Sequence, residues 1–255
     1  MFTVIVPTHS RPQLLQRTLQ SLISQTFCEF RVVIVDDAAS HVPPYEELKA
    51  LAGRYTFIIR SGEAGPATSR NMALDLVHSG YVIFLDDDDT FEPGHLQDMA
   101  DAINRSNPAI AFCSLQVQNE DRTTVPATAL EHSIVNIAAT TMDSVFVRNC
   151  IPNSCLIYRH DVLTGIRYDT RMQIYEDWDF LLHCLRGHEL TYVPANSVVI
   201  HKSIANAPEN FRRGNTRDDL IVETMLKLYQ NHPAPSAGVH VQRQALMASA
   251  GVHLD

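Results

Sequence analysis

Tryptophan occurs once in this 255-residue chain, cysteine five times, glycine 10 times and proline 13 times. So little glycine and proline excludes a fibrous or low-complexity chain. Cys28, Cys113, Cys150, Cys155 and Cys184 are odd in number and scattered, with no C-x-x-C pair. That pattern points to reduced thiols rather than to a disulfide scaffold or a zinc site. No apolar run reaches the roughly 18 residues of a membrane-spanning helix. The opening Met1–Pro7 lacks the basic segment and the apolar length of a secretory leader, so a cytoplasmic location is expected. Basic residues are outnumbered: 20 Lys and Arg against 29 Asp and Glu leave a formal charge of −9. This balance argues against nucleic acid as a partner. It does not exclude an anionic nucleotide, because arginines and metal ions can reverse the sign locally.

The chain does hold a 45% apolar share, enough for the core of one large domain or two small ones. Its first half alternates short apolar runs with amphipathic stretches. Residues 3–6, 31–35, 56–59 and 81–85 read as strands. Leu15, Leu19 and Leu22 recur at i, i+4 and i+7, the stripe of a helix packed on a sheet. Ser10 reads as its cap, with Gln13 completing a capping box and Pro12 in the first turn. Residues 66–78 and 93–105 fill the remaining intervals as helices. Strands alternating with helices imply an α/β fold with a mostly parallel sheet covered on both faces.

The second half is less regular. Strands are expected at 109–117, 154–158, 191–193 and 198–200, with polar sequence between about 118 and 131. Trp178, Leu181, Leu182 and Leu185 give a firm helical spacing. A helix over 217–229, a Pro-rich linker over 232–236 and a last helix near 241–250 form the tail.

Ligands of open parallel sheets bind beyond the carboxyl ends of the strands. Thr8 and His9 follow the first strand, Asp36 and Asp37 the second, and Asp86 to Asp89 the fourth. Four consecutive carboxylates repel one another, so a run of them after a buried strand calls for a cation or a functional reason. Carboxylate oxygens suit Mg²⁺ or Mn²⁺, and such ions usually also hold substrate phosphates.

In order along the chain stand Val4–Arg11, Gln25-Thr26-Phe27, Val33–Ser40, Gly65–Leu74, the acidic run and Glu176-Asp177-Trp178-Asp179. This series resembles the family 2 glycosyltransferases over roughly residues 1 to 205. The resemblance implies a GT-A fold, a nucleotide-diphosphate sugar donor (UDP by default), a divalent metal and inversion at the anomeric carbon. It implies that Thr8 and Asp37 meet the base and ribose, that Pro7 belongs to the donor site, and that Arg11 and Arg70 contact the donor, Arg70 near the diphosphate. Asp86 to Asp88 would be the DxD motif, with Asp88 the metal ligand and Asp86 or Asp87 near the ribose. Asp177 would be the catalytic base and His201 a further metal ligand. One departure is Ala38-Ala39-Ser40, where the family usually has Gly after the paired Asp.

Helix geometry allows only one of Glu176 and Asp177 to face the donor, while Asp179 points away and braces the helix start. The helix dipole lowers the pKa of an acid at this end, and burial would raise it. The domain expected is 1–215, with a nucleotide-sugar half (1–110) and an acceptor half (111–215), followed by a helical extension over 216–255. Acceptors of the implied class are glycan, lipid-linked or protein hydroxyls. The extension could cover the acceptor, pair two subunits or touch a membrane at its inner face. Two competing readings are a catalytically silent sugar-nucleotide-binding domain and a haloacid-dehalogenase-like phosphatase, whose first motif Asp86-x-Asp88-x-Thr90 would match. Three strands precede that motif here, which weighs against the phosphatase.

Overall fold

The computed structural model describes residues 1–38, 42–203 and 218–254. Strands β1 (Phe2–Thr8), β2 (Phe30–Asp36), β3 (Tyr55–Ile59) and β4 (Tyr81–Phe84) are joined by helices α1 (Pro12–Ile23), α2 (Tyr45–Ala50) and α3 (Pro66–Leu74). Then follow β5 (Thr90–Phe91), α4 (His95–Ser106), β6 (Ile110–Asp121), β7 (Thr128–Val135), α5 (Met142–Val147), β8 (Leu156–Arg159), α6 (Glu176–Cys184), β9 (Leu190–Ser203), α7 (Asp218–Asn231) and α8 (Ala237–Ser249).

The nine strands among the described residues form one sheet in the order β3-β2-β1-β4-β8-β6-β9-β5, with β7 beside β6. β1, β2, β3, β4, β6 and β9 run one way; β5, β7 and β8 run the other. The chain moves outward from β1 to β3 and then returns to β4 on the far side of β1. Right-handed crossovers therefore put α1 and α2 on one face and α3 on the other. Buried on both faces, the central strands show no alternation: Val4, Ile5, Val6, Ile34, Val35 and Val82 to Leu85 are all fully buried. The reversal of strand order lies between β1 and β4, and it opens the crevice where such sheets take ligands.

Several local expectations are corrected. Ser10 does not cap α1: it sits in the left-handed region at φ 53°, and Arg11 occupies the cap position with no side-chain bond to the helix's own first turn. The helix begins on Pro12, whose fixed φ and missing N–H suit the first turn. α3 ends at Leu74, short of the expected 78. The strands expected at 191–193 and 198–200 are one strand, β9, whose register against β6 shifts between Cys113 and Leu115. The polar stretch after β6 holds β7, whose eight residues are all exposed. The boundary expected at 215/216 and the substituted Ala39-Ser40 lie outside the described residues.

Candidate donor and catalytic site

The acidic run leaves the buried end of β4 and is fixed from α1. Thr18, fully buried on that helix, lies within hydrogen-bond distance of the carbonyls of Asp87 (2.9 Å) and Asp89 (2.8 Å). The four carboxylates are thereby sorted into different surroundings. Asp87 turns toward β1, where Thr8 Oγ1 donates to it at 2.7 Å and Arg11 Nη1 at 3.1 Å. Burial and the neighbouring Asp88 push its carboxyl up to about 7, against the pull of Arg11 and Thr8. Asp89 is buried and accepts from Ser154 Oγ at 2.7 Å. Asp86 keeps a third of its side chain exposed and accepts from Arg70 Nη2 at 2.8 Å. Asp88 meets Arg122 Nη1 at 3.3 Å.

Oxygens of Asp86, Asp88 and Asp89 lie within 4.8 Å of one another, an all-oxygen set that fits Mg²⁺ or Mn²⁺ better than a softer ion. His201 is outside that group. Its Nε2 lies 2.9 Å from Thr90 Oγ1 and its Nδ1 3.3 Å from Glu120 Oε2.

Sequence reasoning missed the supports behind these groups. Glu120, buried on β6, accepts from Arg17 (2.7 Å) and Arg122 (2.6 Å). Burial alone would raise its carboxyl, but hydrogen bonds from His201, Arg17 and Arg122 outweigh it and hold it well below the usual range. Arg122 also donates to the His201 carbonyl at 2.9 Å, and Arg17 to the Asp88 carbonyl at 3.0 Å. On the other side of the crevice, Asp37 follows β2 and is buried. It accepts from Arg60 Nη2 (3.0 Å) and the Gly65 amide (2.7 Å) and contacts His9 Nδ1. The buried Arg60 guanidinium reaches the Glu63 and Gly65 carbonyls as well, so it ties β3, the loop after it and Asp37 together. Pro7 is the penultimate residue of β1, opposite Val35.

The remaining groups come from α6. Tyr175 precedes that helix at φ 61°, an uncommon conformation for a bulky residue that turns the chain sharply into Glu176 and Asp177. Trp178 anchors the first turn: it is buried and donates Nε1–H to the Val145 carbonyl at 2.8 Å. Glu176 pairs with Arg70 Nη1 at 2.9 Å. Asp177 accepts from the Trp178 amide (2.8 Å) and lies 3.4 Å from Asn149 Nδ2. Burial is the main force on the Asp177 carboxyl, helped by Glu176, and the two lift it to about 7 despite Arg70. Burial acts in the direction opposite to the helix dipole. Arg70 is itself buried, but Asp86, Glu176 and Asp177 keep it firmly charged. Asp179, expected to brace the helix start, instead turns inward to His232.

The acidic strand-end loop at the β1/β4 reversal and the first turn of α6 are thus joined through one shared arginine. The sequence profile of glycosyl transferase family 2 matches residues 3–165, more than half of the chain, and the chain belongs to that family. It is 26% identical to the succinoglycan biosynthesis protein ExoW of Rhizobium meliloti, over 97% of this chain and 87% of ExoW. It is 25% identical to the amylovoran biosynthesis glycosyltransferase AmsB of Erwinia amylovora, over 80% of this chain and 68% of AmsB. In fold it matches the crystal structure of S. aureus TarS 1–349 in complex with UDP-GlcNAc, with a TM-score of 0.67 at 18% identity. That match covers 96% of this chain and 71% of the TarS fragment; against a longer TarS chain it spans 42% of the length. The protein is a glycosyltransferase, and the phosphatase reading falls away. Among the described residues no helix is long and apolar enough to cross a membrane.

Proposed function

We propose that this glycosyltransferase moves a sugar with inversion from a nucleotide-diphosphate donor to a hydroxyl acceptor of a growing glycan or lipid-linked saccharide. The observation that carries the reading is the Asp86–Arg70–Glu176 chain, which sets Asp177 across the crevice from the acidic run. UDP is the default nucleotide, supported by the UDP-GlcNAc bound in the TarS fold relative. Asp37 and Thr8 would hold the base and ribose, and Arg11 and Arg70 would face the donor phosphates. Asp88, with Asp86 and Asp89, would hold Mn²⁺ or Mg²⁺, and His201 would join as a further ligand on turning from Thr90; the ion would supply charge for the leaving diphosphate. Asp177 takes the proton of the acceptor hydroxyl as its oxygen bonds to the anomeric carbon. The carbon–phosphate-oxygen bond breaks on the opposite side, and the nucleoside diphosphate leaves. A carboxyl poised near 7 is well matched to that proton transfer. Residues 1–110 would bind the donor and 111–215 the acceptor, with the extension from 216 packed behind. Work at the inner face of a membrane, alone or as a dimer, fits polysaccharide assembly of the kind named for ExoW and AmsB.

The test is thermal unfolding against a panel of nucleoside diphosphates with and without Mn²⁺, followed by nucleotide-release assays on the best sugar form. A ligand bound only by the native state raises the midpoint by mass action. One nucleoside diphosphate should do so in a metal-dependent way. A flat response across the panel would reject the donor reading.

A further inference from the structure

Asp179, His183 and His232 form a second group of metal-type ligands, one that the proposed sugar transfer does not use. Asp179 and His183 lie one turn apart on α6, and His232 begins the turn between α7 and α8. One ligand atom from each falls within 4.8 Å of the others. Asp179 and His232 are buried, while about a third of the His183 side chain reaches solvent. His183 Nε2 stands 3.7 Å from Asp179 Oδ2, too far for a hydrogen bond. Two ligands of one tetrahedral ion, each at about 2.0–2.1 Å, stand roughly 3.3 Å apart. The gap thus suits a shared ion better than a direct bond. His232 Nε2 lies closer, 2.7 Å from Asp179 Oδ1.

We propose that Asp179, His183 and His232 bind a zinc ion that fastens the α7–α8 tail to α6. Two imidazoles and one carboxylate are a borderline-soft set that favours Zn²⁺ over Mg²⁺, and the exposed edge of His183 leaves a fourth position for water. In the metal-free protein the proton of His232 is on Nε2 and is donated to Asp179, because Arg186 Nη2 donates toward Nδ1 at 3.3 Å. Zinc must take the Nε2 lone pair, so the proton shifts to Nδ1 and faces the guanidinium. Arg186 is exposed and also donates to the Asn231 carbonyl at 3.0 Å, so it can turn away. Arg186 consequently opposes the metal, and removing it should tighten binding.

The experiment is calorimetric titration of the full, chelator-stripped chain with Zn²⁺, in an Asp88→Ala background that disables the acidic loop as a competing site. One equivalent should bind. Adding His183→Ala should weaken it by at least about tenfold without changing the circular dichroism spectrum, since among the described residues the His183 side chain makes no hydrogen bond and its backbone bonds survive the change. Adding Arg186→Ala should instead strengthen it, and Co²⁺ in place of Zn²⁺ should give visible absorption from a four-coordinate site. Equal zinc binding with and without His183, or none in the Asp88→Ala chain, would overturn the site and leave Asp179–His232 as a buried hydrogen-bonded pair. Neither result depends on the donor or the sugar-transfer reading.

Discussion

Arg70 and Glu176 meet at 2.9 Å across the crevice, joining the helix after β3 to the first turn of α6. Because the same guanidinium holds Asp86 at 2.8 Å, the loop proposed to carry the metal and the helix proposed to carry the base share one buried cation. A shift of either would be felt by the other.

Asp177→Asn keeps the shape of the side chain and removes its basicity. Transfer should fall by roughly 10² to 10⁴, the usual contribution of a positioned base, while nucleotide binding by calorimetry stays near the parental value. Glu176→Gln tests the neighbouring carboxylate. If that variant loses turnover and Asp177→Asn keeps it, the base is Glu176.

The same group predicts a pH dependence. Base catalysis needs the ionised form, so kcat/KM should rise with pH through a midpoint near 7 and level off above it. For stability the sign is opposite. The folded carboxyl is raised above its unfolded value of about 3.9, so the folded state loses stability as pH climbs from there through 7. At pH 8, Asp177→Asn should accordingly unfold at a higher temperature than the parent, by a few degrees if about 1 kcal/mol is recovered. A lower midpoint would contradict the buried-charge account.

Metal removal should stop transfer. Excess EDTA, or Asp88→Ala, is expected to abolish turnover while the protein stays folded, because Asp88 leaves Arg122 still paired with Glu120 at 2.6 Å. Full activity in EDTA would reject the proposed ion.

His201→Ala should raise the Mn²⁺ concentration needed for half-maximal activity several-fold, on the order of the tenfold or more seen when a ligand or its support is lost. Superimposable metal titrations of variant and parent would mean that the histidine only bridges Thr90 and Glu120.

Arg60→Met tests a residue with no catalytic part. It removes the cation from a buried pair and leaves Asp37 with the Gly65 amide and His9. Breaking such a pair costs about 3–5 kcal/mol, which urea unfolding would show directly. Nucleotide affinity should drop with it, since Asp37 loses its orientation.

Central strands and the α6 stripe were legible because each is written in local pattern. Buried parallel strands read as unbroken apolar runs, and Trp178, Leu181, Leu182 and Leu185 keep helical spacing. β7 was not legible, since all eight of its residues face water and carry no alternation. β9 looked like two strands because Pro194, Ala195 and Asn196 interrupt it where the register against β6 shifts. The acidic run and Asp177 stood out by composition and resemblance. Their supports did not: Glu120 is joined to Arg17 and His201 across 103 and 81 positions, and nothing in its own neighbourhood announces either partner. Asp179 was misplaced for the same reason, its partner His232 lying 53 residues on.

The two-residue strand β5 has a consequence for how the enzyme comes into being. Thr90 and Phe91 find their sheet partners, among the described residues, in Val199 and Val198, more than a hundred residues later. The loop before them is thus anchored on the downstream side by chain that leaves the ribosome late. Pairings of such separation carry a large loop-closure penalty and form slowly. The parallel core of β1 to β4 can assemble early, but a nascent or refolding chain should acquire nucleotide-binding competence only in its slowest phase, when β9 docks between β6 and β5.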